Sequence, residues 1–269
     1  MDASTLLYGV FGNPVGHSMS PVLFNQAFLH LGINAVYLAF PVTDIQPGVA
    51  AVRTLGIRGV SVTIPHKIGI MAFLDGVDDL AGRIGAVNTL VWEQNRLVGR
   101  NSDCSGAMRA IEDHTPIAGK RFAIIGAGGA ARAIGFGIKH QNGQVVIVNR
   151  SIGRGEQLAD DLNAEFLPLS SAESLDCHML INATSVGMTP ATSAMPVPAG
   201  ILHSGMIVMD IIYNPLKTEL LNQAARRGCT TIDGLSMFVY QAACQFEWWT
   251  GKPAPVAFMK QVVLERLTR

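Results

Sequence analysis

The amino-acid sequence predicts an α/β protein of two domains, each built on a sheet whose strands alternate with helices. Short apolar runs alternate with helix-like segments from residue 5 to about residue 235. Four of the later runs are continuously apolar, which is typical of parallel strands covered on both faces. One of them leads into a glycine-rich turn and an alanine-rich helix, the local order found in dinucleotide-binding domains.

Composition limits the possible classes of function. The chain has 269 residues, 49% hydrophobic and 15% charged, so it can fill the cores of two domains. Lys plus Arg and Asp plus Glu both number 20, and the lack of a long basic run argues against binding to nucleic acid or anionic membranes. The sequence shows no signal peptide, no apolar run of membrane-spanning length and no CxxC pair among its four cysteines. We therefore expect a soluble cytoplasmic protein with reduced thiols.

The first half of the chain supplies a series of strands and helices. LLYGVFG predicts a strand, and Ser20-Pro21 predicts a helix start in which serine is the cap and proline fits the first turn. That helix ends at Gly32, and AVYLAFPV, DIQPGVAAVRTLG, GVSVTIP and KIGIMAFLD follow as strand, helix, strand and helix. AVNTLVWEQNRLVGRNSD predicts two strands joined by a Gln94-Asn95 turn.

The second half repeats the alternation. After a predicted helix around SGAMRAIEDH, the four apolar strand candidates are RFAIIGAG, QVVIVNR, HMLINAT and MIVMDIIY. Two helix-like segments close the chain, LSMFVYQAACQFEWWTG and PVAFMKQVVLERL. In the first of these, Trp248 and Trp249 are expected to pack between the domains rather than to contact a ligand.

The glycine-rich turn after RFAII predicts a dinucleotide site. Its residues are Gly126, Ala127, Gly128, Gly129, Ala130 and Ala131. Gly126 permits a tight turn, Gly128 lets the backbone approach a pyrophosphate, and Ala131 allows the helix to lie close to the strand. The phosphates would meet the N–H groups and the positive end of the dipole at the start of the helix.

The end of the next strand indicates which dinucleotide is bound. An NAD-binding unit usually presents Asp or Glu to the ribose 2′-hydroxyl about twenty residues after the glycines. Here Asn149 occupies that place, followed by Arg150 and, one helical turn later, Arg154. Guanidinium groups bind a 2′-phosphate through charge-assisted hydrogen bonds, whereas a carboxylate would repel it. Arginines at a strand end are often ordinary surface residues, but the absence of the acid favours NADP over NAD.

In SVTIPHK, a lysine follows the carboxyl end of a predicted apolar strand. Pro65 ends the strand because it has no N–H to donate, and His66 and Lys67 follow. An isolated lysine of this kind is usually a solvated residue at the start of a helix. Other polar side chains, however, lie near predicted strand ends or on the penultimate helix: Ser18, Ser20, Asn88, Thr89, Asp103 and Gln241.

In this order the motifs resemble those of the shikimate dehydrogenase family over nearly the whole chain. They are GNPVGHSMSP, SVTIPHK, GAVNTL, NSD, GAGGAARA, NR, NATSVGM, YNP and GLSMFVYQAACQFEWWTG. The resemblance implies a split substrate domain, residues 1–102 plus 236–269, and a Rossmann-like NADP-binding domain, residues 103–235. It also implies an active-site cleft between them and the NADP-linked, reversible reduction of 3-dehydroshikimate to shikimate, a reaction of the shikimate pathway of aromatic amino acid biosynthesis.

The resemblance also implies a role for each matching residue. Ser18 and Ser20 would hold the substrate carboxylate, and Lys67 and Asp103 would form the catalytic pair. The ring hydroxyls would be bound by Ser61, Thr63, Asn88, Asp103 and Gln241, with Tyr213 nearby. The expected ligand is a small cyclohexene or cyclohexane polyol carboxylate, with no metal site, in a monomer or homodimer.

The chemistry suits a lysine. An ammonium group can stabilise an oxygen as negative charge develops on it and can then protonate that oxygen. Asp103 would orient Lys67 and hold its charge state, and the sequence leaves open which member of this cooperating pair delivers the proton. His66 is an alternative acid, but Lys67 matches the family's catalytic position and His66 does not. His17 is expected to be structural.

Two positions depart from the family pattern. The mainstream strand reads Asn-Val-Thr, whereas this chain has Ser61 at the first of these positions, as the quinate/shikimate branch does. A lost hydrogen bond is worth about 0.5–1.5 kcal/mol, so shikimate binding could weaken up to about tenfold. Cys104 replaces a glycine beside Asp103 and could alter the local backbone. The alternatives are a quinate/shikimate dehydrogenase using NAD or NADP and a non-catalytic metabolite sensor, although the latter would not need the acid–base pair.

Overall fold

A computed structural model describes residues 1–16 and 18–267 of the chain. His17, with its expected structural role, lies outside the described residues. The chain forms two compact units, the first comprising Met1–Ser102 and Gln241–Arg269 and the second Asp103–Tyr240. The later boundary falls at residue 241, inside a helix, whereas the sequence predicts residue 236. Within the described ranges, no helix is long and apolar enough to cross a membrane.

The elements alternate as an α/β protein requires. The strands of the described chain are β1 (Leu6–Gly12), β2 (Ala35–Pro41), β3 (Gly59–Val62), β4 (Gly76–Val77), β5 (Thr89–Glu93), β6 (Arg96–Arg100), β7 (Arg121–Ile125), β8 (Gln144–Asn149), β9 (Glu165–Pro168), β10 (Met179–Asn182), β11 (Ile207–Asp210) and β12 (Thr230–Ile232). The helices are α1 (Ser20–His30), α2 (Ile45–Thr54), α3 (Asp79–Ile84), α4 (Ser102–Glu112), α5 (Gly129–His140), α6 (Ile152–Leu162), α7 (Glu219–Arg226), α8 (Gly234–Thr250) and α9 (Val256–Leu267).

The first unit contains a mixed sheet in the order β2-β1-β3-β5-β6-β4. Strand β1 pairs in parallel with β2 and β3, while β5 runs antiparallel to β3 and β6. The β5–β6 hairpin turns at Gln94 and Asn95, whose φ angles of 48° and 67° are the positive values that a tight type I′ turn needs. All four residues of β3 are buried, because the strand lies between β1 and β5.

Trp249 is half-buried and packs against aromatic residues of the first unit. Its indole lies 5.1 Å from the ring of Phe24, and its Nε1 donates to the Leu90 carbonyl at 2.9 Å. A Cβ at Gly59 would lie 2.3 Å from that nitrogen, so glycine at this position of β3 makes room for the indole. These contacts lie within the first unit, and the packing of Trp248 and Trp249 between the domains stays a prediction.

The second unit contains a fully parallel sheet in the order β12-β11-β10-β7-β8-β9. Counted from β7, this is the 3-2-1-4-5-6 order of the Rossmann fold, read from the β9 edge. The strand order reverses between β7 and β10, where such folds bind ligands at the carboxyl ends of the strands. The four apolar runs form the buried centre of this sheet, as the sequence predicts.

Two local predictions differ from the structure. KIGIMAFLD forms a 3₁₀ helix, Gly69–Phe73, rather than an α-helix. Main-chain bonds from Val87 to Lys67 and from Asp75 to Leu97 hold the chain on both sides and leave only a short free segment. At the start of α1 the cap is Met19, without a side-chain cap bond, and Ser20 is the first helical residue.

Candidate active site

The segment after β3 is fixed by main-chain hydrogen bonds. The Thr63 N–H donates to the Phe11 carbonyl at 2.9 Å, and the His66 N–H donates to the Thr63 carbonyl at 3.0 Å. The Val87 N–H then donates to the Lys67 carbonyl at 2.8 Å. Lys67 is half-buried rather than exposed. Its main chain is therefore held at the carboxyl end of β3, next to the start of β5.

His66 has a structural position. It is 6% exposed, and its Nε2 donates to the Val42 carbonyl at 2.7 Å, which assigns the Nε2–H tautomer. A ring nitrogen committed to a main-chain carbonyl cannot deliver its proton to a substrate without breaking that bond. This bond argues against His66 as the acid, and the catalytic role of Lys67 stays a prediction.

Short hydroxyl side chains lie near the ends of the first strands. Ser18 and Ser20 are half-buried, and the Ser20 N–H donates to Ser18 Oγ at 3.3 Å. The Ser20 side chain also hydrogen-bonds the Tyr37 phenol. A Cβ at Gly12 would lie 2.4 Å from Thr63 Cγ2, so glycine at the end of β1 leaves room for the threonine.

Ser61 makes two hydrogen bonds inside the first unit. It is 8% exposed, its Oγ accepts from the Tyr37 hydroxyl at 2.7 Å, and it donates to Gln245 Oε1 at 2.9 Å. Burial is the main cause that raises the pKa of Tyr37, so this phenol stays neutral. The contact of Ser61 with substrate stays a prediction, and one acceptor lone pair remains for it.

Asn88 is held at the start of β5 by neutral donors. Its Oδ1 accepts from the Ser102 N–H at 2.7 Å, from Ser102 Oγ at 3.2 Å and from Thr89 Oγ1 at 2.8 Å. Its Nδ2 lies 3.5 Å from Gln241 Oε1. Asn88 and Gln241, two residues predicted to bind the substrate, are thus neighbours. We call the connected side chains the neutral network: Tyr37, Ser61, Gln245, Thr89, Asn88 and Ser102.

Asp103 lies in the first turn of α4, where the helix dipole stabilises a carboxylate. It is 8% exposed and belongs to the second unit. The neighbouring Cys104 continues the regular helix and is buried. A Cβ at Gly137 of α5 would lie 2.7 Å from Cys104 Sγ, so the thiol fills the space that this glycine leaves. The helix accommodates the cysteine without a break.

The glycine turn of the second unit fits a dinucleotide. Gly126 has a φ of 114°, and a Cβ there would lie 3.0 Å from Thr184 Cγ2. Gly128 and Gly129 are exposed, and a Cβ on either would meet nothing within 4 Å. Gly128 caps α5 without a side-chain bond, which leaves the first N–H groups of the helix for a ligand. The predicted neighbours Ala127 and Ala130 are half-buried around this turn.

The end of β8 carries no carboxylate. Asn149 is half-buried, and its Nδ2 donates to the Ser151 carbonyl at 2.8 Å. Arg150 and Arg154 are exposed at the start of α6, so their guanidinium groups are accessible to a phosphate. Among the residues that the structure describes, no group of three or more His, Cys, Asp or Glu could hold a metal ion.

A second buried network lies at the carboxyl ends of β10 and β11. Asp210 is 0% exposed and accepts from Thr218 Oγ1 at 2.7 Å, from the Ile212 N–H at 3.1 Å and from Asn182 Nδ2 at 3.1 Å. Burial raises the pKa of its carboxyl, and these hydrogen bonds oppose the shift. We call Asn182, Asp210 and Thr218 the charged network. It anchors the loop that carries Tyr213, whose ring stacks on Phe238 at 4.8 Å.

Sequence reasoning missed several residues of these networks. Gln245 could have been noticed in the sequence, since it is a polar residue one helical turn after Gln241 in the apolar stretch FVYQAACQF. Tyr37 carried no such signal, because a tyrosine in a strand is usually a core residue.

Comparisons with known proteins identify the family that the chain is similar to. Family models described as "Shikimate dehydrogenase substrate binding domain", "Shikimate / quinate 5-dehydrogenase" and "Shikimate 5'-dehydrogenase C-terminal domain" match residues 10–90, 109–213 and 234–264. A shikimate dehydrogenase (NADP(+)) of Thermococcus kodakarensis is 45% identical, with 99% of each chain covered.

Solved structures show the same similarity. One is the crystal structure of a shikimate dehydrogenase in complex with NADP+, whose sequence is 39% identical to this chain. The two structures superimpose with a TM-score of 0.94 over 100% of this chain and 98% of that one. The shikimate 5-dehydrogenase of Thermus thermophilus, in complex with NADP(H) and shikimate, is 34% identical with a TM-score of 0.89, covering 97% of this chain and 99% of that one.

Proposed function

Since this chain belongs to the shikimate dehydrogenase family, we propose that it catalyses the NADP-linked interconversion of 3-dehydroshikimate and shikimate. One observation carries the proposal. Main-chain bonds from Val87 to Lys67 and from Val62 to Asn88, at 2.8 and 2.7 Å, hold a lysine and a hydroxyl-binding amide at neighbouring strand ends. Reduction of a ketone on a polyol ring needs that combination of an acid and neutral polar ligands.

Lys67 and Asp103 are the proposed catalytic pair. In the direction of reduction, the Lys67 ammonium stabilises the negative charge that develops on the ketone oxygen and supplies its proton. In oxidation, Lys67 receives the hydroxyl proton. Asp103 orients the lysine. NADP, when bound, accepts or returns the hydride.

The remaining predicted residues bind and orient the ligands. Ser18 and Ser20 offer hydroxyl donors to the substrate carboxylate, and Thr63, Asn88, Gln241 and Tyr213 surround the ring hydroxyls. The first unit is thus the proposed substrate domain. In the second unit, Gly126, Gly128 and Gly129 meet the pyrophosphate, and Arg150 and Arg154 meet the 2′-phosphate.

A quinate/shikimate dehydrogenase is the second candidate, because of Ser61. In place of an amide, this position offers one hydroxyl whose hydrogen is already donated to Gln245. A site with fewer donors discriminates less between ring polyols. Arg150 and the absence of an acid at the end of β8 oppose NAD use and favour the main proposal.

A panel of substrates and cofactors tests the proposal. The value of kcat/KM is measured for shikimate, quinate and a simpler 3-hydroxy acid, each with NADP and with NAD. Shikimate with NADP should give the highest value. Quinate with NAD in first place would overturn the proposal in favour of the second candidate. No turnover of any pair, with metabolite binding retained, would indicate a sensor.

The cellular setting follows from the same proposal. We expect the enzyme in the cytoplasm, where NADP and the intermediates of aromatic amino acid biosynthesis are found, and as a monomer or homodimer. Light scattering of the purified protein measures the oligomeric state, and a larger assembly would contradict the expectation.

A further inference from the structure

Gln245 lies at the centre of the neutral network, and its amide orientation is determined by its neighbours. The side chain is 4% exposed on α8. One end lies 3.4 Å from the Asn88 main-chain carbonyl, which can only accept a hydrogen bond, so that end is Nε2. Oε1 therefore faces Ser61 and accepts from its hydroxyl at 2.9 Å. The flipped amide would place two acceptors against each other.

This orientation determines the direction of the next hydrogen bond. Gln245 Nε2 also donates to Thr89 Oγ1 at 2.8 Å. The single hydrogen of the Thr89 hydroxyl is then free to point to Asn88 Oδ1, also at 2.8 Å. Gln245 thus occupies an acceptor position of the Thr89 oxygen and leaves the hydroxyl hydrogen for Asn88 Oδ1, which is nearer than the other acceptor, Ser102 Oγ at 3.3 Å.

Asn88 is consequently oriented as well. Its Oδ1 receives hydrogen bonds from Thr89 and from the Ser102 N–H, a group that can only donate. With Oδ1 satisfied, the amide presents Nδ2 to the region near Gln241. At the oxygen end of the Gln245 amide, the Ser61 hydroxyl donates its hydrogen to Oε1. Ser61 can therefore only accept further hydrogen bonds.

We propose that Gln245 is a positioning residue that, through Thr89 and together with the Ser102 N–H, holds Asn88 as a hydrogen-bond donor toward the substrate. The inference rests on the proposed function of this site. Gln245 selects a ligand with an accepting oxygen opposite Asn88, although it does not touch that ligand itself. Without it, the Thr89 hydroxyl loses its incoming donor and can turn to Ser102 Oγ, 3.3 Å away, so that Asn88 Oδ1 is held by Ser102 alone and the amide is oriented less firmly.

The test uses variants that keep volume and remove single links. Gln245→Met removes both ends of the amide, and Thr89→Val removes the hydroxyl between Gln245 and Asn88. Gln261→Met, on the exposed face of α9, is the matched control. For each full-length protein, thermal unfolding and NADP affinity establish that it is folded, and steady-state kinetics with shikimate and NADP follow.

We expect the KM for shikimate to rise about tenfold in Gln245→Met and in Thr89→Val, with kcat lowered less than about threefold and the KM for NADP unchanged. In an Asn88→Ala background, Gln245→Met should change the shikimate KM by less than about twofold, because the residue it positions is gone. Gln261→Met should behave as wild type.

Three results would overturn the inference. The first is an unchanged shikimate KM in folded Gln245→Met. The second, a full tenfold effect that persists in the Asn88→Ala background, would mean that Gln245 acts by another route. If Gln245→Met does not fold, an unchanged KM in Thr89→Val has the same consequence. A wild-type enzyme without activity on shikimate would instead overturn the proposed function, and this inference with it.

Discussion

The two units each bury a hydrogen-bonded network at the ends of their central strands, but the networks differ in charge. The neutral network of the first unit consists of hydroxyls and amides, and its one ionisable member, Tyr37, is kept protonated because burial raises its pKa. The charged network of the second unit is centred on a carboxylate, Asp210, whose pKa burial also raises. The first network is therefore insensitive to pH near neutrality, whereas the second couples folding to protonation.

This difference matches the ligands proposed for each unit. A ring polyol is recognised by neutral donors and acceptors, and a wrong pairing there carries a penalty of about 1–3 kcal/mol. Lys67, the group proposed to do the chemistry, is not a member of the neutral network. In the second unit, Arg150 and Arg154 are exposed, and the carboxyl of Asp210 is buried at the end of β11.

The largest effect on activity is expected when the Lys67 side chain is removed. Lys67→Ala should lower kcat by about 10²–10⁴-fold, with a much smaller change in the KM for shikimate, because the acid–base group is lost while the neutral network remains. Steady-state kinetics measure both constants, and Lys260→Ala on exposed α9 serves as the control. A loss confined to KM would show that the lysine only binds.

The arginines of the second unit come next. Arg150→Ala and Arg154→Ala should each lower the NADP-to-NAD ratio of kcat/KM by about 10–100-fold, because each removes a charge-assisted hydrogen bond to the 2′-phosphate. The KM for shikimate should not change. Arg227→Ala, exposed after α7, is the control. An equal decline with both cofactors would contradict the assignment.

The role of Asp210 in the charged network can be tested by the pH dependence of the free energy of unfolding. The folded state keeps the Asp210 proton to higher pH than the unfolded chain, so wild-type stability falls as pH rises from about 4 through the raised pKa. Over this range the free energy of unfolding of wild type should decline relative to that of Asp210→Asn, as measured by urea titration.

Asp210→Ala controls for the hydrogen bonds themselves. It leaves Asn182 and Thr218 without their acceptor and should cost about 1–3 kcal/mol of stability at neutral pH. A difference between wild type and Asp210→Asn that is constant with pH, or of opposite slope, would refute the role given to the buried carboxyl.

The smallest effect is expected at Ser61. An asparagine there has an oxygen to accept from Tyr37 and two N–H groups, one for Gln245 and one for the substrate. Ser61→Asn should lower the KM for shikimate by up to about tenfold, at some cost in thermal stability from the added volume. Ser61→Ala is the comparison variant. No change in KM with Ser61→Asn would end the idea that serine weakens binding.

Much of the fold could be predicted because local patterns and global packing agree. Continuous apolar runs identified β7, β8, β10 and β11, and the glycine turn identified the start of α5. The 3₁₀ helix Gly69–Phe73 could not be predicted, since the hydrogen bonds that shorten it come from Val87 and Leu97, far along the chain. The contact of Trp249 with β3 could not be predicted for a similar reason, since Gly59, far along the chain, makes the space for the indole.

The candidate site divides in the same way. Residues with a motif around them, such as Lys67 and Asn88, were identifiable from sequence, and their roles stay predictions. The residues that orient them were not, because a hydrogen bond between Ser61 and Gln245 joins positions that sequence separates widely. Direction in a hydrogen-bond network depends on which neighbours can only accept or only donate, and that information is three-dimensional.

Transfer of hydride between shikimate and NADP is the central claim, and an isotope measures it directly. Shikimate carrying deuterium at the carbon that becomes the ketone, carbon 3, is oxidised by the wild-type enzyme with NADP, and the cofactor product is analysed by mass spectrometry. Our account predicts NADPH in which one hydrogen of the nicotinamide ring is replaced by deuterium. NADPH free of deuterium, or no reduction of NADP at all, would contradict it.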